Sequence, residues 1–301
     1  MVSNDLQRLG EQSATKLLVD GHVHFHECFT WIAFLGAAAR NFGRARSILG
    51  LTAGSPACLM FTESAGANHY RMLTQRPTQA SLRGWRVETS DDGRSVQLTD
   101  PGDATIIVIP GRQIVTAERL EVLALGCIDE LPDGRPIREI VRAVADRDAI
   151  AVIPWGFGKW LGRRGRIVRD LIERKEVPFF LGDNGGRARI MSRPSLFGHA
   201  ERLGTPVLGG SDPLPLAGQA ERVGSYGFVL DAWRETSRPA PAISTRIQAL
   251  KQSPSPFGEL SSAASMLRSQ VGLQWQRHRR TRGVRASVDT ATVAARRRRV
   301  T

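Results

Sequence analysis

Three cysteines in 301 residues, Cys28, Cys58 and Cys127, are too few and too widely spaced for a disulfide framework. Reduced thiols in a cytoplasmic protein fit that usage. Long apolar runs are also missing. The longest, Trp31 to Ala39, has nine residues, about half of the roughly 20 needed to cross a bilayer, so no membrane span is expected. The opening residues Met1-Val-Ser-Asn-Asp5 lack the basic and apolar stretches of a secretory leader. A composition of 41% hydrophobic against 24% charged residues excludes disorder throughout the chain. The length suits one large domain or two small ones, and a single α/β barrel with insertions accommodates it.

Negative charge is in deficit: 29 acidic residues against 42 lysines and arginines leave +13. Residues 277–301 hold nine arginines and one aspartate, a net of +8, which leaves +5 for the first 276 residues. The excess is therefore mostly a basic tail. Such an arm contacts polyanions by counterion release, and a solvated tail accounts for it without specific nucleic-acid recognition.

The segment Leu17-Leu-Val-Asp20, ended by Gly21, reads as a short strand buried on both faces. Apolar positions at Trp31, Phe34, Ala38, Phe42, Ala45 and Ile48 predict a helix over 31–50. A strand over 57–62 and a helix over 65–76 follow. Between Trp85 and Ile114, three short segments separated by Asp92-Gly93 and Pro101-Gly102 predict an inserted antiparallel meander. Strands over 120–125, 149–153, 177–181 and 206–209 then alternate with helices over 137–146, 165–175 and 196–203, which implies a parallel sheet. Residues 237–258, with four prolines, read as loop around a short helix. Leu260, Ala264, Leu267, Val271 and Trp275 predict a last amphipathic helix, docked on the barrel exterior.

The tract most informative about chemistry is Asp20-Gly-His-Val-His-Phe-His-Glu27. Histidines two apart on an extended strand project to one side, so His22 and His24 can offer both imidazoles to a single ion. His26 continues the spacing. A second buried strand ends in Gly209-Gly-Ser-Asp212. If both strand ends share a rim, Asp212 completes a His/His/Asp set and can ligate the ion or take a proton from water. Taken alone, that segment reads equally well as a turn capped by its aspartate. Lys159 and Arg163, on a glycine-rich loop after a strand, are candidates for holding an anionic substrate. The loop lacks the spacing of a nucleotide P-loop.

Asp20-Gly-His22-Val-His24 near the start, Gly210-Ser-Asp212 after a late strand, and the order of elements between them resemble the PHP family of metal-dependent phosphoesterases, relatives of the amidohydrolases. The resemblance spans roughly residues 16–230. It implies a distorted TIM-like (βα)7-8 barrel whose strand ends carry a metal cluster, hydrolysing phosphate esters through a bridging hydroxide. On this reading residues 1–258 form the PHP-like barrel with a β insertion at 84–115. A C-terminal helix over 259–276 follows, then a disordered basic tail at 277–301.

The sequence departs from the family pattern at four expected ligands. Thr62-Glu63-Ser64 stands where Thr-Asp-His is usual, Gln113 replaces a glutamate, Ile153-Pro154 replaces His-Pro, and Pro213-Leu214 follows Asp212 where Ala-His is usual. The expected metal set is therefore His22, His24 and Asp212, with Glu63 and His26 as further candidates. It would hold one or two divalent ions, zinc, manganese or iron. Asp212, Lys159 and Arg163 are the expected catalytic residues, and the substrate is a small anion, phosphorylated on the leading reading. Two alternatives stand beside it: a degenerate barrel kept for binding or regulation, and an amidohydrolase acting on a C–N bond.

Overall fold

The computed structural model describes residues 15–75, 82, 84–102, 104–234 and 236–275. The basic tail, with His278, lies outside the described residues. Strand β1 (Thr15–Val23) is buried on both faces, with Leu17, Leu18 and Val19 fully enclosed. Continuous β-branched and leucine side chains favour this position between two covering layers. Its neighbours are β2 (Ala57–Phe61), which runs parallel, and β11 (Tyr226–Trp233), which runs antiparallel. With β3 (Arg86–Thr89), β4 (Val96–Thr99), β5 (Thr105–Ile109) and β12 (Pro256–Gly258) they form a seven-stranded sheet, ordered β12-β11-β1-β2-β5-β4-β3. The second sheet contains β6 (Gly111–Val115), β7 (Glu121–Leu125), β8 (Ile150–Pro154), β9 (Phe180–Asn184) and β10 (Val207–Gly210), ordered β10-β9-β8-β7-β6.

Helices cover the outer faces. Helix α1 (Trp31–Ile48) starts at Thr30, whose hydroxyl accepts the Ala33 N–H at 3.2 Å. It buries Phe34, Leu35, Ala38 and Phe42 in a core shared with β1, β2 and β5. Full burial of such a phenylalanine contributes about 1.5–3 kcal/mol. The short α2 (His69–Gln75) follows β2. Helices α3 (Ile137–Ala145), α4 (Arg163–Arg174) and α5 (Ser195–Arg202) build a second core with β7, β8 and β9. A third core lies between the sheets, filled by Val19, Met60, Ile109, Leu125, Val152 and Phe228 among others. Helix α6 (Pro239–Gln248) packs Ala240, Ile243 and Ile247 into it. Helix α7 (263–275) ends the described chain.

The expected TIM-like barrel is not formed: the strands divide into two mixed sheets, neither closed on itself. The reason lies between residues 105 and 125, where β5, β6 and β7 follow one another without an intervening helix. A parallel neighbour needs a crossover. Here β7 instead pairs antiparallel with both β6 and β8, and β11 enters antiparallel beside β1. Nor is the 84–115 segment purely inserted, because β5 pairs parallel with β2 inside the main sheet and only β3 and β4 extend its edge. Two backbone seams join the sheets. Asp212 N–H donates to His22 O at 2.9 Å, while Glu63 N–H donates to Gly111 O at 3.0 Å and Gln113 N–H to Glu63 O at 2.8 Å. Among the described residues no helix is long and apolar enough to cross a membrane. Cys28 is exposed, whereas Cys58 and Cys127 are buried.

Candidate metal centre

The first seam brings the end of β1 against the end of β10. A Cβ added to Gly210 would stand 2.4 Å from the His22 Cβ and 2.5 Å from its backbone nitrogen, so only glycine permits this approach. Two residues on, Asp212 adopts φ +46°, a left-handed conformation that aspartate tolerates better than most residues. The kink turns its carboxylate towards β1. His22 lies in the last turn of the β1 ladder, where register with β2 shifts, and His24 directly follows the strand.

His22 Nε2 and His24 Nε2 lie 3.0 Å apart, and each is 3.6 Å from Asp212 Oδ1. The circle through those three atoms has a radius of about 2.0 Å, the length of a zinc–imidazole or zinc–carboxylate bond. Neutral imidazoles and an ionised carboxylate are the ligand forms a divalent ion requires. Burial, reinforced by His22, pushes His24 down to about 3, so its ring is neutral. Burial alone would raise Asp212, but its interactions with the two imidazoles and the Lys159 ammonium and a hydrogen bond from Asn184 outweigh it and hold the carboxyl below its usual value. The Asn184 amide donates to Asp212 Oδ2, leaving Oδ1 turned to the imidazoles. This donor set fits a divalent cation, with at least one coordination position left open.

Asp20 positions the set from behind. It is fully buried; its Oδ1 accepts the Ser211 N–H at 2.8 Å and the His22 N–H at 3.3 Å, and Oδ2 accepts the Gly224 N–H at 2.9 Å. Burial raises its pKa to about 6 despite these bonds. Asp20→Asn would set an amide N–H against a backbone N–H. The expected loss is about 1–3 kcal/mol of stability in urea unfolding, with about 10–100-fold weaker metal binding in a calorimetric titration.

Glu63 and His26, the other sequence candidates for the metal set, are held elsewhere, as are several further histidines and carboxylates. Glu63 is buried, with Oε2 3.3 Å from Arg112 and Oε1 accepting the Tyr70 N–H at 2.8 Å at the start of α2, so its carboxylate is spent on structure. His26 donates Nε2–H to Pro213 O at 2.9 Å and stands beside the centre rather than in it. His69 shares ring contact with Phe25, and His199 pairs with Glu173 at 3.1 Å. Glu118 caps α3 through the Ile137 N–H at 3.0 Å. Asp183 is bound by Arg187 and Tyr226.

His24, His26 and Asp212 open onto a cavity of about 800 Å³. Lys159 lines it and pairs with Glu121. Arg163, by contrast, is exposed at the start of α4, outside the cavity wall. Its neighbour Arg164 lines the wall and donates to Gly158 O at 2.9 Å. Sequence reasoning missed Arg222, a half-buried cation of the cavity wall that donates to Ser261 Oγ at 2.5 Å and to Ser211 O at 3.4 Å, and whose pKa burial lowers despite the charges of Asp212 and Asp20. Arg222 follows no periodic pattern, so nothing local marked it. Asn184 left a weak signal, since it closes a buried strand.

No protein-family model and no curated protein matches the chain. Among solved structures, Endonuclease Q of Pyrococcus furiosus, described as a lesion-specific endonuclease, aligns at TM-score 0.41 and 13% identity over 71% of this chain. The alignment spans about half of that protein, 52% of its length. A complex of Endonuclease Q with a 27-mer duplex bearing an abasic lesion aligns at TM-score 0.41 and 13% identity, over 76% of this chain and 57% of that one. Both are too distant to carry an argument. PsfC from Pseudomonas syringae PB-5123 aligns at TM-score 0.50 and 18% identity, over 87% of this chain and 99% of its own, and the likeness concerns the overall fold alone.

Proposed function

We propose that the protein is a metal-dependent hydrolase of small anionic esters, with phosphate esters as the leading class. The observation that supports this is the three-donor circle of about 2.0 Å radius opening onto a cavity lined by Lys159, Arg164 and Arg222. His22, His24 and Asp212 would hold the ion, which when bound supplies Lewis-acid polarisation of an ester oxygen and activation of water. Asn184 fixes the Asp212 carboxylate in its ligating orientation. Three cations against two lining carboxylates, Glu121 and Asp212, attract and orient an anion. The cavity volume lies in the range of small-molecule sites.

Turnover of a phosphate-ester panel with added manganese or zinc tests the proposal against a cyclic-amide panel. Ester hydrolysis that disappears with chelator is expected, and hydrolysis of cyclic amides alone would reject the phosphoesterase reading. Arg222→Ala is expected to lower kcat/KM for a phosphate ester by about 10²–10³-fold without changing metal stoichiometry, and Arg222→Lys to recover part of it.

A further inference from the structure

Helix α7 is seated against its own hydrophobicity. Leu267, Val271 and Trp275, the stripe that should dock it, are 66%, 58% and 57% exposed. The face turned inward carries Met266, Ser269, Gln270 and Leu273, at the i, i+3, i+4, i+7 spacing of one helical side, and all four line the cavity of the metal centre. The helix is held there by specific contacts. Ser261, just before it, donates N–H to Gly185 O at 2.9 Å and receives a hydrogen bond from Arg222. The Gln219 amide donates to Ser269 Oγ at 3.1 Å. At Gly272 a Cβ would stand 2.9 Å from Leu216 Cδ1, so the helix sits close against that leucine.

The cavity is thus chemically two-ended. Away from α7 the wall carries His24, Asp212 and Lys159, with Arg222 hydrogen-bonded to Ser261 at the foot of the helix; the inward face of α7 itself contributes two uncharged polar groups and two apolar ones. We infer that α7 is the specificity wall of the site, and that the substrate is a small ester whose non-reacting part is neutral, bearing hydroxyl and apolar groups. This rests on the hydrolase reading above. A second charged group packed against Met266 and Leu273 would meet no charged partner on the inward face of α7, which disfavours bisphosphates and polynucleotide chains. Ser269 and Gln270 can exchange hydrogen bonds with hydroxyls, while Met266 adapts to shape.

The test uses the metal-loaded full chain with 4-nitrophenyl phosphate, glycerol 3-phosphate and fructose 1,6-bisphosphate, measured by turnover and by calorimetric binding. The two monoesters are expected to exceed the bisphosphate in kcat/KM by about tenfold or more. Gln270→Lys should move that ratio about tenfold towards the bisphosphate, mainly through KM. Gln270→Glu should move it away, and Gln270→Asn should keep the preference, with metal content constant in all three. Equal binding of the three esters, or variants that move all three alike, overturns the inference whatever the turnover. Selective binding without turnover of any ester overturns the hydrolase reading instead and leaves the wall assignment standing.

Discussion

Replacing His22 and His24 together by alanine is expected to take bound divalent metal from about one ion per chain to none and to lower ester turnover by about 10⁴-fold or more. Two of three donors vanish, and the remaining carboxylate alone does not hold an ion at micromolar concentration. The single replacements should each lose nearly as much, because ligands of one ion act as a unit. The fold should survive, since neither ring carries a backbone seam; the His22 carbonyl that receives Asp212 N–H remains in the double variant. Circular dichroism and metal analysis on the same sample check this. The neutral His24 has a pH consequence. Its pKa of about 3 in the folded chain lies below its 6.5 reference, so the unfolded chain binds the proton first. Its contribution to stability is full above pH 6.5, declines below it, and is gone once pH falls through about 3.

The second large effect is structural. Arg187 and Asp183 are both buried and joined by two hydrogen bonds of 3.0 and 2.8 Å, with Tyr226 adding a third at 3.0 Å. Arg187→Met leaves a buried carboxylate with only the phenol, and the expected loss is about 3–5 kcal/mol in denaturant unfolding near neutral pH. Asp183→Leu combined with Arg187→Met removes both charges and should recover much of the stability. Because Asn184 adjoins Asp183 and orients Asp212, the single variant should also weaken metal binding, which links this ion pair to the centre.

Which parts of this arrangement were legible follows from the range of the interactions involved. Periodicity is local, so α1, α3, α4 and α5 could be placed within a few residues of their observed bounds. Likewise β1, β2 and β8 announce themselves as continuous apolar runs. Sheet closure is not local. No local pattern tells that the Gly227-Phe-Val-Leu230 run of β11 enters antiparallel beside β1. The paired histidines are readable from spacing, whereas the surroundings of Glu63 depend on Arg112, 49 positions away in sequence but 3.3 Å away in space. In α7 the apolar stripe is legible but its direction is not, since amphipathicity assumes that the core, rather than a polar cavity, decides which face turns inward.

Elemental analysis of the purified chain, dialysed and then reloaded with zinc or manganese, addresses the central assignment most directly. The account predicts about one tightly held ion per chain, absent from an Asp212→Ala variant that still folds. A wild-type protein that takes up no divalent ion, or a variant that retains the full complement, would contradict it.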